Sequence, residues 1–308
     1  MTKVFIDGSA GTTGLRIAER LRCDESLKLL ILDGDVRKDV GARKEAINSC
    51  DIAFLCLPDD AARESVSLVE NSDVTVIDTS TAHRTAEGWT YGFPEIKDQR
   101  DLIKTSKRIA NPGCHASGFI SLVRPLRDLG LIEPEIFLSC TSITGYSGGG
   151  KKMIADYENA LKKEALGAPR LYGLTQVHKH LKEMAAVSKL TRFPAFQPVV
   201  APFYSGMLVT VALDAAALGL KKDEVSEAIS EYYRGEKLIT FRGDVSEDGF
   251  LSAGGISGKD SMEIFVYGND ERIVLASRFD NLGKGASGAA IQNMNISLCR
   301  EETAGLLP

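Results

Sequence analysis

The stretch Lys3-Val4-Phe5-Ile6-Asp7-Gly8-Ser9-Ala10-Gly11-Thr12-Thr13-Gly14, continuing into Leu15-Arg16-Ile17-Ala18-Glu19-Arg20-Leu21-Arg22, decides the fold. Lys3 to Gly8 reads as a strand. Gly8 to Gly14 is a GxxGxxG turn. After it Leu15, Ile17, Ala18 and Leu21 recur at close to helical period. A strand, a glycine turn and a helix in that order open a dinucleotide-binding βα unit. The glycines let the backbone approach a pyrophosphate, and the helix N-terminus offers N–H groups and partial positive charge to the anion. Gly8, Ser9, Ala10, Gly11, Thr12, Thr13 and Gly14 are therefore candidate cofactor-binding residues.

Working outward, the pattern repeats. Leu27 to Asp33 reads as a second strand, apolar on both faces as a buried parallel strand is. Asp51 to Pro58 is a third, followed by a helix from about Asp59 to Glu70, and Val74 to Asp78 is a fourth. Strands alternating with helices predict a doubly wound parallel sheet, an α/β fold of the Rossmann type. From about Cys114 the character changes. Met207 to Asp214 alternates apolar and polar residues. Met262–Gly268 and Arg272–Phe279 face each other across Asn269-Asp270-Glu271, as an antiparallel hairpin does. The second half reads as an α+β domain with a mixed sheet. Near the end Ala289, Met294 and Leu298 mark a last helix. At 308 residues the chain exceeds what one core usually supports, so two domains are expected.

Composition narrows the function. The net charge is −5, and no run of five or more basic residues occurs, which argues against a nucleic-acid binder. No apolar stretch is long enough for a membrane span, and the N-terminal apolar run meets Asp7 too soon for a secretory signal. The cytoplasm is the expected location. Six cysteines at irregular spacing, with no CxxC, read as reduced thiols. Four histidines and no zinc spacing give no metal site.

Two details bear on the cofactor. At the end of strand two, Asp33 and Asp35 suit the ribose hydroxyl of NAD, whereas Arg37 and Lys38 suit the 2′-phosphate of NADP. Spacing does not separate them. Leu57-Pro58 and Thr79-Ser80-Thr81 follow strands three and four at the carboxyl edge of the sheet, where ligands of open α/β sheets bind. Leu57, Pro58 and Ser80 are candidates there.

Asn111-Pro112-Gly113-Cys114-His115 is the most informative stretch. Pro112-Gly113 forces a turn. Phe119, Ile120, Val123 and Leu126 then follow at helical period, so Cys114 falls in the first turn of a helix. A thiol there meets the positive end of the helix dipole, which favours the thiolate. Cys114 is thus the candidate nucleophile. It needs a base. His83 lies in a loop beside Arg84. His115 adjoins the cysteine, and adjacent side chains on a helix diverge. His178 and His180 lie in Gln176 to Met184, where Glu183 stands three residues past His180 and can orient it on a helix. His180 is the preferred base and His178 the alternate. Gly145 to Lys152, between a strand and a helix, can cradle an anion with backbone N–H groups, with Lys151 and Lys152 adding charge.

A dinucleotide turn, a cysteine at a helix start and a downstream histidine fit phosphorylating aldehyde dehydrogenation or its reverse. Matching segments run the whole length: GSAGTTGL at Gly8, DTSTAHR at Asp78, YGFPEI at Tyr91, NPGCHASG at Asn111, SITGYSGGGKK at Ser142, HKHLKEM at His178 and NLGKGASGAAIQNMN at Asn281. On these the chain resembles the N-acetyl-γ-glutamyl-phosphate reductase family of arginine biosynthesis, in its shorter form, within the semialdehyde dehydrogenase group. Where that family often has an acid and an aromatic before the arginine of the second segment, this chain has Ala82-His83-Arg84.

The resemblance implies that Cys114 is the nucleophile, that His180 or His178 is the acid/base, and that the glycine turn binds NADP. It implies Arg84, Ser147 and Gly148 near the substrate and its phosphate, and Asn281 near the nicotinamide. Asn111 is a candidate oxyanion donor, with the Cys114 N–H. It also implies that the last helix packs back on the cofactor domain, giving a domain of residues 1–113 with 285–308 and a catalytic and oligomerisation domain of residues 114–284. Acyl phosphate and inorganic phosphate are the expected small-molecule partners. A homo-oligomer, dimer or tetramer, is expected; the alternating strands of the second half could form an intersubunit sheet, but their pattern alone does not establish one. The rivals are an aspartate-semialdehyde dehydrogenase-like enzyme, a CoA-dependent acylating dehydrogenase and a non-catalytic NADP-binding sensor.

Overall fold

The computed structural model describes residues 1–161 and 163–308. By internal contacts the chain divides into two compact units, residues 1–113 with 286–306, and residues 114–285 with 307–308.

The first unit opens with β1 (Thr2–Asp7), α1 (Thr12–Leu21), β2 (Leu27–Leu30), α2 (Val40–Ser49), β3 (Ile52–Leu55), α3 (Asp59–Ser67) and β4 (Thr75–Asp78). It continues with β5 (Thr90–Tyr91), α4 (Gln99–Thr105) and β6 (Arg108–Ala110). The six strands form one sheet in the order β2-β1-β3-β4-β6-β5, all parallel. β3 and β4 are buried at every position, as strands covered on both faces must be. α1 and α2 both pack on β1. Phe5, Ile47, Ala53, Leu55 and Val76 meet in one apolar cluster, with Trp89 packed against it.

Two expectations need correction. β2 ends at Leu30 and is not buried on both faces: only Leu27 is buried and Lys28 is exposed. The strand lies at the sheet edge, where one side has no neighbour to cover it. Leu15, read as part of the apolar stripe of α1, is 40% exposed, and Gly14 faces inward instead. The stripe needs a small residue there because α1 crosses close to the turn before it.

The second unit comprises α5 (Cys114–Asp128), β7 (Ser139–Gly145), a short 3₁₀ turn at Tyr146–Gly149, α6 (Gly150–Glu158), β8 (Arg170–Leu171) and α7 (His180–Val187). Then come β9 (Ala195–Ala201), β10 (Met207–Asp214), α8 (Ala215–Leu218), α9 (Lys222–Tyr232), β11 (Ile239–Gly243), β12 (Met262–Gly268) and β13 (Arg272–Phe279). Seven strands form a mixed sheet ordered β11-β12-β13-β10-β7-β9-β8. The hairpin β12–β13 is antiparallel, as the sequence pattern predicts, and β10 alternates buried with exposed positions. α5 crosses β10 and β13 at Gly118, where a Cβ would lie 2.4 Å from a Val209 methyl.

α5 contains Pro125, which removes the N–H that would donate to the Ser121 carbonyl one turn back. The Tyr233 hydroxyl donates to that carbonyl at 2.7 Å. The helix therefore continues through proline with its buried acceptor satisfied.

A π-helical turn, Gly283–Ser287, leads into α10 (Gly288–Ser297), which belongs to the first unit. Every residue from Gly288 to Ile296 is buried. Its polar residues are bonded accordingly: Gln292 donates to Glu95 at 2.8 Å and Glu302 at 2.7 Å, and Asn293 donates to the Gly92 carbonyl at 2.9 Å. α10 packs on β4 and α4.

Candidate active site

In the first unit, strand order reverses on either side of β1, so the carboxyl ends of β1 and β3 form the crevice where ligands of such sheets bind. Gly8 follows β1 with φ +86°. A Cβ on it would lie 2.3 Å from the Cys56 carbonyl oxygen, so β1 and β3 end in contact only because this residue is glycine. A Cβ on Gly14 would lie 2.5 Å from the Gly8 carbonyl oxygen. Gly11 caps α1 without a side-chain hydrogen bond, and no acid stands in the first turn. The turn Gly8 to Gly14 thus presents the N-terminus of α1 with no carboxylate to repel an anion, and these residues fit a dinucleotide pyrophosphate. Arg37 lies exposed in a one-turn helix beyond β2, with Asp33 and Asp35 exposed beside it.

Leu57 is half-buried and Pro58 exposed at the start of α3. Ser80 is buried: its hydroxyl donates to Asp78 at 2.8 Å and accepts from the Ala82 N–H at 3.1 Å. Asp78, fully buried, also bonds Nδ1 of His83 at 2.6 Å, and the His83 ring stacks on Trp89 at 4.1 Å. Arg84 donates from Nε to the Asn111 carbonyl at 3.0 Å and from Nη2 to the Thr79 carbonyl at 3.1 Å. The Asn111 amide donates to the Ala286 carbonyl at 3.0 Å and accepts from Asn293 at 3.1 Å. The structure thus places Asn111 as a brace for the start of α10.

In the second unit Cys114 is the first residue of α5 and is half-buried. Gly285 lies against it: a Cβ there would stand 2.9 Å from the Cys114 Cβ. The other cysteines differ. Burial pushes the Cys50 and Cys56 thiols up to about 12 and raises Cys140 further, while Cys23 and Cys299 are exposed outside any helix or strand.

His180 begins α7 and is buried; Glu183, one turn along, is also buried. His178 lies before the helix, not in it, with its Nδ1 accepting from the His180 N–H at 3.3 Å. The His178 and His180 rings are 4.9 Å apart. His115, set aside in the sequence because it adjoins Cys114, joins them: its ring lies 5.4 Å from His180 and 5.8 Å from His178. Burial, reinforced by His178 and Lys179, pushes its pKa down to about 3. Burial also lowers His178. Tyr172, which the sequence reading missed, bonds Nε2 of His115 at 2.6 Å. The only sequence signal for it is its place six residues before His178.

Ser147 is buried and Gly148 exposed in the 3₁₀ turn after β7. The Asn281 amide donates to the Ser147 hydroxyl at 3.0 Å and accepts from the Gly206 N–H at 2.9 Å. Asn281 thus acts as a cross-brace within this unit. Asp280 fixes it in turn, accepting from Ser205, Gly258, Leu282 and Gly283 at 2.6–2.9 Å. Among the described residues no helix is long and apolar enough to cross a membrane.

Comparison with known proteins agrees with this division. Residues 3–105 match the family model "Semialdehyde dehydrogenase, NAD binding domain", and residues 114–281 match "Semialdehyde dehydrogenase, dimerisation domain". The chain is 44% identical to N-acetyl-gamma-glutamyl-phosphate reductase 2 of Nostoc sp., covering 99% of each chain. It is 45% identical to the N-acetyl-gamma-glutamyl-phosphate reductase of Chelativorans sp., covering 96% of this chain and 98% of that one. Among solved structures, aspartate semialdehyde dehydrogenase II of Vibrio cholerae shares the fold, with a TM-score of 0.73 at 17% identity, covering 97% of this chain and 99% of that one.

Proposed function

The chain belongs to the N-acetyl-γ-glutamyl-phosphate reductase family of semialdehyde dehydrogenases, and from that premise we propose how its residues work. The reaction is NADPH-dependent reduction of N-acetyl-γ-glutamyl phosphate to N-acetylglutamate 5-semialdehyde and phosphate, in arginine biosynthesis. The residues Gly8 to Gly14 would hold the pyrophosphate of NADP and Arg37 its 2′-phosphate, with Leu57, Pro58 and Ser80 along the same sheet edge. Arg84, Ser147 and Gly148 serve the acyl phosphate.

The Cys114 thiolate attacks the acyl carbon, and the bond to phosphate breaks, leaving a thioester on Cys114. When bound, NADPH would supply the hydride that reduces this thioester. The Cys114 backbone N–H donates to the thiohemiacetal oxyanion. His180 protonates that oxyanion, then takes the proton back as the C–S bond breaks and the aldehyde leaves. Glu183 orients His180, and His178 is the alternate acid/base. The first unit is the cofactor domain, and the second carries catalysis and the contacts of a homo-oligomer. No disulfide joins the six cysteines, which suits a reducing compartment, the cytoplasm.

One observation carries the reading: within one unit, a cysteine at the first position of a 15-residue helix and two histidines, one opening α7 and one just before it, whose rings meet that of the cysteine's neighbour His115. The test is oxidation of N-acetylglutamate semialdehyde with NADP⁺ and phosphate, followed by nicotinamide absorbance, beside aspartate semialdehyde. Turnover should require the acetylated substrate and phosphate, and Cys114→Ala should abolish it with NADP affinity intact. Turnover of aspartate semialdehyde alone would refute the substrate, and full turnover by Cys114→Ala the nucleophile.

A further inference from the structure

Asp7 closes β1 at the residue before Gly8, and it is buried. Its backbone carbonyl accepts the Cys56 N–H at 2.8 Å, beside the close contact of Gly8 with the Cys56 carbonyl. Its carboxylate oxygen Oδ2 accepts from Nε of Arg43 at 3.1 Å and from the Ser65 hydroxyl at 2.7 Å. Arg43 stands in the first turn of α2, and Ser65 near the end of α3. Nη1 of Arg43 donates to Glu64 at 2.6 Å and Nη2 to the Ala61 carbonyl at 3.4 Å, both in α3. The guanidinium thus ties α2 and α3 to the end of β1, where the turn Gly8 to Gly14 begins.

Burial of such a pair adds little to stability. Taking two charges out of water costs about what their attraction returns, and apolar side chains of the same size are often as stable. Yet among the described residues of the first unit Arg43 is the only buried basic side chain. Its partner explains the placement. No acid stands between Gly8 and Gly14, so Asp7 is the carboxylate nearest in the chain to the glycine turn. A bare carboxylate there would oppose an anion held by that turn and weaken the attraction of the α1 N-terminus. Glu64, the other acid on Arg43, is different. Its side chain is 51% exposed and stays hydrated without a partner, whereas that of Asp7 is 5% exposed and does not.

We propose that Arg43 is a positioning residue for the cofactor: it neutralises the Asp7 carboxylate and pins it to α2 and α3, so that the turn Gly8 to Gly14 can hold the pyrophosphate of NADP. This rests on the reading of that turn as the pyrophosphate site. Arg43 acts through Asp7 and does not itself touch the cofactor, because Nε, Nη1 and Nη2 are all engaged inside the unit. Its part therefore differs from that of the exposed Arg37.

The experiment is calorimetric titration of the full-length protein with NADP⁺ in mildly alkaline buffer. Arg43→Met keeps most of the side chain's length, removes its charge and strands Asp7. Affinity should fall about tenfold, the cost of one unpaired charge close to a bound anion. Asp7→Asn keeps an oxygen to accept from Arg43 and Ser65, and should bind NADP⁺ at least as tightly as wild type. The deciding variant combines Arg43→Met with Asp7→Asn. Its affinity should return to within about threefold of wild type, although the ion pair is gone. A clasp that only held the fold together would give the opposite, since the double variant has lost both partners. Arg43→Lys keeps the charge and should also stay within about threefold. Should Arg43→Met fail to fold, Asp7→Asn and the double variant still decide. Wild-type affinity in Arg43→Met, a double variant as weak as Arg43→Met, or a loss of about tenfold in Asp7→Asn overturns the proposal. Gly14→Ala separates the two readings. If it loses affinity while Arg43→Met does not, the pyrophosphate site stands and the role of Arg43 alone fails. If Gly14→Ala binds as wild type does, both fail.

Discussion

Replacing Gly285 by alanine tests how tightly the structure holds Cys114. The new methyl would stand 2.9 Å from the Cys114 Cβ, 3.1 Å from the Asp280 carbonyl oxygen and 3.3 Å from Cε2 of Phe279, where ordinary contact starts at 3.4 Å. Gly285 has no left-handed backbone, so alanine brings no φ penalty of its own. Two of the neighbours are fixed. The Asp280 carbonyl accepts the Gly285 N–H at 3.0 Å, which is the π-type bond of that turn, and Phe279 is fully buried. The shortfall of about 0.5 Å therefore falls on the first turn of α5, whose next turns are pinned where Gly118 meets Val209. A misplacement of 1 Å in a reacting group costs about a hundredfold, so half of that predicts roughly a tenfold fall in kcat. The assay is phosphate-dependent oxidation of N-acetylglutamate semialdehyde, with NADP⁺ affinity and thermal midpoint measured alongside. Gly167→Ala, where nothing lies within 4 Å of the new methyl, is the control and should behave as wild type. A Gly285→Ala enzyme with kcat within twofold of wild type would refute the reasoning, since α5 would then tolerate the shift without consequence for the sulfur.

Gly14→Ala should weaken NADP binding about tenfold without changing Cys114 alkylation, because its methyl meets Gly8 backbone, which cannot yield cheaply; unchanged affinity by fluorescence titration would count against the glycine turn as the pyrophosphate site. Tyr233→Phe should cost about 1–3 kcal/mol in urea denaturation by stranding the Ser121 carbonyl, and adding Pro125→Ala should recover part of it by restoring the helix N–H; equal losses in single and double variants would show that the proline gap is not what Tyr233 fills. His115 titrates near 6.5 in an unfolded chain but near 3 when folded. Between those values the unfolded chain holds the extra proton, so stability rises with pH across the window and levels off above it. Wild type should gain about 2 kcal/mol more than His115→Gln between roughly pH 5 and pH 7, and identical gains would mean the ring is not held neutral.

The parallel sheet was legible because β3 carries an unbroken apolar run, because strands alternate with helices, and because Gly8 to Gly14 can be read as a turn with a purpose. The hairpin β12–β13 and the strand β10 were legible from alternation alone. What escaped was whatever depends on neighbours distant in sequence. β2 looks as apolar as β3 until its edge position is known. The 3.6-residue period assigns Leu15 inward, but the close approach of Gly14 to Gly8 rotates the buried stripe. In the candidate site, the cysteine and the histidine pair are visible as residue types in a spacing. Tyr172 is not, because its partner lies 57 residues away and no local pattern marks it. His115 was set aside by a rule about adjacent side chains, which says where the ring does not point and nothing of the Ser142 that receives it.

α10 has a consequence for the order in which the chain becomes a protein. A ribosome releases it only after the 172 residues from Cys114 to Gly285 that separate it from the rest of its unit. At bacterial or eukaryotic elongation rates that is a delay of roughly ten to thirty seconds. Through that interval β4 and α4 lack the helix that covers them, and Glu95 lacks the amide of Gln292. The second unit, nearly continuous in sequence, has its sheet complete once Phe279 has emerged. The half of the molecule translated first is thus finished last, and its uncovered apolar surface is what a chaperone would meet on the nascent chain.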